Sequence, residues 1–129
     1  MNVSLLLFVK TKQFKSEFNP TLEVAIMGKD DFRYEIIKPM FKEYGFGFIL
    51  PAFNLIVMDG ELKLGKDVYK FIEAHEVAHF MLGHTDAHQP DDEIMADRLA
   101  HKMLDGKGYK KSAQLVVDKF EERHGIKFY

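Results

Sequence analysis

Hydrophobic and polar positions along the chain fall into two regimes. Up to residue 59 the apolar residues come in short runs. Residues 2–10, with Leu5-Leu6-Leu7-Phe8-Val9, read as a buried strand. Residues 11–20 are polar and end at Asn19-Pro20, a turn signal. Residues 21–27 alternate as a second strand, closed by Gly28. Asp30 or Asp31 caps a predicted helix to about Tyr44, with Phe32, Ile36, Ile37, Met40 and Phe41 at helical spacing. Pro39 inside that pattern predicts a kink or a break, and Gly45 ends it. Residues 46–50 and 53–59 read as two further strands, with Pro51 leaving the register of a hairpin open.

From there on the spacing is helical. Asp67 is a suitable N-cap for a helix in which Val68, Phe71, Ile72, His75, Ala78, His79 and Leu82 share one side. Gly83 stops it. After a loop of roughly eight residues, Asp91 caps a helix over 92–105 with Leu99, Met103 and Leu104 on its apolar face. Gly106 and Gly108 end that helix. Ser112 caps a last helix with Leu115, Val116 and Phe120 inward and Gly125 as its stop. Residues 126–129 form an apolar tail expected to pack down. The order predicts an α+β fold: an N-terminal mixed sheet with one helix, then three helices.

Length bounds the chain to a single domain, 1–129. With 12 Phe and 5 Tyr it has enough aromatic mass for a core. A net charge of −2 and no dominant basic cluster exclude nucleic acid held by bulk electrostatics. The apolar run at the N-terminus has no basic flank or small-residue cleavage site and is too short to span a bilayer, so the expected location is cytoplasmic, with no membrane partner. The absence of cysteine removes disulfides, thiolate ligands and a thiol nucleophile together.

The chemistry concentrates at His75-Glu76-Val77-Ala78-His79. On a helix, positions i and i+4 share a face, so two imidazoles there can bind one metal ion while Glu76 reaches a water on it. Catalytic zinc takes three protein ligands and keeps one position open. A third His in the metzincin pattern would fall at Thr85, with Gly at Leu82, so that class fails. Glu93 is the better candidate, and Asp97 lies one turn further on the same face, placed to accept the second imidazole N–H of a ligand His. His88, Asp91 and Asp92 read as loop and cap residues, though any of them could replace Glu93 as the ligand.

HExxH followed by Glu-x-x-Ala-Asp on the next helix resembles the gluzincin zinc metallopeptidases. It is similar to the soluble core of the prenyl-protein and heat-shock zinc peptidases and to the minimal soluble gluzincins. The run His75 to His84, ending Leu-Gly-His, also resembles small metallopeptidases that cleave repressors of mobile elements, which carry Asn at the place of Asp97. The resemblance spans about residues 68–104. It implies a small zincin-like domain and a zinc-dependent endopeptidase, with His75, His79 and Glu93 as Zn2+ ligands, Glu76 as general base and Asp97 as the partner of a ligand His. It further implies a protein or peptide substrate paired with the strand at roughly Phe53 to Met58, and a Tyr or His donor for the developing oxyanion. His101 and Tyr109 are the candidates for that donor, with His124 a further option.

Bland readings stand beside these. His84 reads as a helix-end residue facing the dipole rather than a ligand. His101 reads as an ordinary helix residue, and the Met residues as core filler. The alternative function is a catalytically inert, zinc-stabilised module that binds or regulates another protein. Glu76 speaks against it, because a structural site has no use for that carboxylate. Substrate identity and oligomeric state are not encoded in these patterns.

Overall fold

A computed structural model describes residues 12–44, 46–84 and 89–129. The strand expected over 2–10 lies outside them. The fold is α+β, and the chain divides into two compact units, Met1–Leu64 and Gly65–Tyr129.

Among the described residues the first unit holds a four-stranded sheet in the order β1-β2-β4-β3 and one helix. Its strands are β1 (Lys12–Lys15), β2 (Glu23–Met27), β3 (Gly47–Leu50) and β4 (Leu55–Asp59), and α1 is Tyr34–Tyr44. β2 and β4 run parallel with Ala25 opposite Val57, while β1 and β3 pair antiparallel on the outside. The two central strands are therefore apolar on both faces: Val24, Ala25, Ile56, Val57 and Met58 are all buried. β1 arises in the stretch read as polar loop. Its four residues are all exposed, so it shows no apolar alternation to betray it, and pairing with β2 alone makes it a strand.

β3 and β4 form the hairpin the sequence left open. A 3₁₀ turn over Pro51–Phe53 and Asn54 in the left-handed region set Leu50 opposite Leu55. This arrangement corrects one expectation. β4, the strand implied to pair with substrate, is bonded to β2 on one side and β3 on the other, so it has no free edge to offer.

α1 begins three residues later than its expected cap. Asp31 instead closes the preceding turn, accepting the Arg33 N–H at 2.9 Å and the Arg33 guanidinium at 2.7 and 3.0 Å. The helix continues through Pro39 without a break. Tyr34 and Phe41 pack with Met27, Phe48 and Val57, but Phe32 and Ile36 face outward at 60% and 75% exposure, so the apolar stripe is narrower than its spacing implied. Tyr34 also carries a buried polar tie, donating to Asp59 Oδ1 at 3.0 Å.

The second unit is three helices: α2 (Lys66–Met81), α3 (Pro90–Gly106) and α4 (Lys110–His124), each packed on the other two. Ala74 and Ala78 on α2, and Ala96 and Ala100 on α3, are buried one turn apart, and such small residues allow close helix approach. Leu104, Val116 and Phe120 fill the remaining core. Each of the expected N-caps moves. α2 starts after Gly65 at φ 90°, with Asp67 inside its first turn. α3 is capped by Gln89 in a reciprocal box with Asp92, with Pro90 in the first turn and Asp91 merely an early acid. α4 follows Tyr109, and Ser112 is buried instead, donating to the Asp67 carbonyl at 2.8 Å. The stops hold: Gly83 (φ 77°) and Gly125 (φ 71°) are left-handed. In the tail, Phe128 packs edge-on to Phe120, and its carbonyl accepts from Arg98 at 2.7 Å, while Tyr129 stays exposed. Among the described residues no helix is long and apolar enough to cross a membrane.

Candidate metal centre

α2 is buried without interruption from Glu73 to His79, so its polar residues are surrounded rather than displayed. His75 and His79, one turn apart, point the same ring nitrogen to one place: their Nε2 atoms lie 3.0 Å apart. Glu93, in the first turn of α3, brings Oε2 to 2.6 Å from His79 Nε2 and 3.1 Å from His75 Nε2. Three electron-pair donors this close need a positive centre among them, a proton or a metal ion. Tetrahedral zinc, with bonds of about 2.0–2.1 Å, sets neighbouring ligands about 3.3 Å apart. The separations here are shorter, most of all the 2.6 Å between Glu93 Oε2 and His79 Nε2, and the two-nitrogen, one-oxygen set suits zinc. The triad can hold a metal ion. Glu93 is the third member, and neither Asp91 nor Asp92 belongs to it; His88 lies outside the described residues.

Glu76 is not one of the three donors. It is buried beside them, within electrostatic reach of His75, Glu93 and Arg123. Burial pushes its carboxyl up to about 7, with Glu93 adding to the rise and His75 and Arg123 opposing it.

Asp97 is fully buried and organises the far side of His75. Its Oδ1 lies 2.7 Å from His75 Nδ1, which directs Nε2 at the triad. Its Oδ2 takes His124 Nε2 at 2.5 Å and lies 3.4 Å from Arg123 Nε. Burial opposes the Asp97 charge, but bonding to His75 and the nearby Arg123 hold its carboxyl below the usual range. For His75 the balance is similar: burial opposes the charge, yet Asp97 and Glu93 push the imidazole up to about 9. Burial also opposes the Glu93 charge, and His75 and His79 hold it well below the carboxylate range.

Of the residues expected as oxyanion donors, His101 packs its ring tilted against Phe128, 4.7 Å between ring centres. Tyr109 lies beneath Lys70, whose ammonium is 5.2 Å from the ring centre. His124 does join the centre, but as a partner of Asp97. Arg123 had no reading in the sequence, and His84 was read as a helix end rather than as part of the centre. Arg123 lies against both the Phe71 ring and Asp97. His84 places Nδ1 3.1 Å from His79 Nδ1. The first is remote in sequence, without a local signal. The second had one, the Gly83-His84 helix stop.

No protein-family profile, curated protein or solved structure matches this chain.

Proposed function

We propose that the chain is a zinc-dependent peptidase of gluzincin type, a small zincin-like domain that hydrolyses peptide bonds in a protein or peptide substrate. One observation carries the reading. Three donors from two helices converge, and a buried carboxylate, Glu76, stands beside them without being one of them. Among the described residues the donors stop at three, as in a catalytic zinc site, whereas a structural one closes with four.

Bound to His75, His79 and Glu93, zinc would supply a Lewis acid and a water with its pKa lowered toward neutrality. Glu76 would serve as the general base toward a water and as the acid that protonates the departing amine. In the metal-free protein, burial already raises the Glu76 carboxyl to about 7. Asp97 fixes the tautomer of His75, leaving Nε2 for the metal.

The test begins with metal content by mass spectrometry and hydrolysis of a peptide library by the zinc-loaded protein. About one zinc per chain is expected, weakened or lost in Glu93→Ala. Glu76→Gln is expected to keep the metal and lose about 10²–10⁴-fold in rate. Full activity in Glu76→Gln would refute the mechanism. A zinc-stabilised binding module predicts a different pattern: chelation unfolds the protein and Glu76→Gln changes nothing.

A further inference from the structure

We propose that His84, with Asp92 behind it, is the positioning residue for the second metal-binding histidine, His79. This deepens the metal-site reading and rests on it, but it does not depend on peptidase activity.

The device begins in the backbone. Gly83 at φ 77° ends α2 in a Schellman turn: the His84 N–H bonds back to the His79 carbonyl at 2.9 Å, and the Gly83 N–H to Phe80 at 3.2 Å. That turn folds His84 against the residue five positions before it. The side chains then meet, Nδ1 to Nδ1, at 3.1 Å.

The tautomers follow from the contacts. With a metal ion on Nε2, the His79 proton would sit on Nδ1 and be donated to His84. His84 Nδ1 must accept it, which places the His84 proton on Nε2. That nitrogen lies 3.3 Å from Asp92 Oδ1. The other oxygen of Asp92 accepts the Gln89 N–H at 3.1 Å and so caps α3. Asp92 is the neighbour of Glu93. The chain His79–His84–Asp92 therefore fixes one ligand's ring and ties down the helical turn that carries another. Each ligand histidine has its own support: His75 a carboxylate directly, His79 an imidazole with a carboxylate beyond it.

Two variants separate hydrogen bonding from packing. His84→Phe keeps a ring and removes both nitrogens. His84→Asn keeps an acceptor where Nδ1 stood. Zinc affinity is measured by competition with a chromophoric chelator. In parallel, 15N NMR of the zinc-loaded wild type reads the scalar coupling between His79 Nδ1 and His84 Nδ1 across the hydrogen bond. The expected results are a detectable coupling, a loss of about 10–100-fold in affinity for His84→Phe, and an affinity close to wild type for His84→Asn. The proposal fails if the coupling is absent, if His84→Phe binds zinc as wild type does, or if both variants weaken equally. A wild type that binds no zinc overturns the metal reading itself. Wild-type zinc binding with no coupling overturns only the role of His84.

Discussion

Zinc binding to this centre is expected to compete with a proton on His75. In the metal-free protein Glu93 is already ionised, held so by the two imidazoles, and has no proton to release. His75 is different. Despite burial, Asp97 and Glu93 push it up to about 9, so at pH 7 it is protonated by about 100 to 1. A metal taking Nε2 must expel that proton. Apparent affinity at pH 7 is then about 100-fold below its value above pH 9, about 2.7 kcal/mol, and climbs about tenfold per pH unit between them. The stability of the metal-free fold runs the other way. A raised imidazole contributes stability fully below its usual 6.5 and loses it as pH rises through about 9. Asp97→Asn keeps an acceptor for His75 Nδ1 but removes the charge that raises the ring. The variant should lose about 10–100-fold in affinity at pH 9, where ligand support alone counts, and much less at pH 7, where it also escapes the proton. Chelator competition from pH 6.5 to 9.5 reads both curves, and calorimetry in two buffers counts protons released. A wild-type affinity that stays level from pH 7 to 9, or binding at pH 7 without proton release, would refute the reasoning.

Arg123→Gln removes a cation that lowers Glu76, so the acidic limb of kcat/KM should move to higher pH, by up to about one unit; a pH–rate profile with the limb unmoved contradicts the placement of Arg123. Tyr34→Phe deletes a donor to buried Asp59 Oδ1, which also accepts the Glu61 N–H, and should cost about 1–3 kcal/mol in urea denaturation without altering zinc affinity. Glu76→Leu should stabilise the metal-free protein at pH 8 by about 3 kcal/mol while abolishing hydrolysis. A carboxyl raised from 4.5 to about 7 contributes stability below 4.5 and loses it as pH rises through 7, so a gain no larger at pH 8 than at pH 4 would contradict it.

What the sequence made legible was local. Helix stops at Gly83 and Gly125 were readable because a left-handed residue is a property of one position. The pairing of His75 with His79 was readable because one helical turn joins them. Glu93 and Asp97 were readable as a pair for the same reason, although their meeting with α2 is tertiary. The N-caps were misplaced because the chain is rich in Asp, and composition cannot say which of Gln89, Asp91 or Asp92 the backbone will use. β1 was invisible because an exposed outer strand has no apolar side. The sheet order, which encloses β4, is a long-range pairing with no trace in any short window. Arg123 and His124 reach Asp97 from the last helix, and no spacing rule spans that distance.

Burial singles out the same residues as the motif does. Glu73, His75, Glu76, His79 and Asp97 are all nearly inaccessible to water within two packed helices. Burying charge costs several kcal/mol per ion, and apolar replacements of similar size are often neutral or stabilising. A fold seeking stability alone would fill these positions with the Ala, Val and Leu that line the rest of the unit. Glu73 has a structural account, an ion pair with Lys70 at 3.0 Å. Asp97 has one only through others: it exists to receive His75, His124 and Arg123. Glu76 has none. It is held above its ordinary ionisation range, with neighbours whose charges pull it in opposite directions. Local rules of good packing are broken where something other than packing is selected. Here the violations converge on one face of α2 and on the donor atoms of a single triad, so the cost of burial is concentrated where the proposed chemistry needs it.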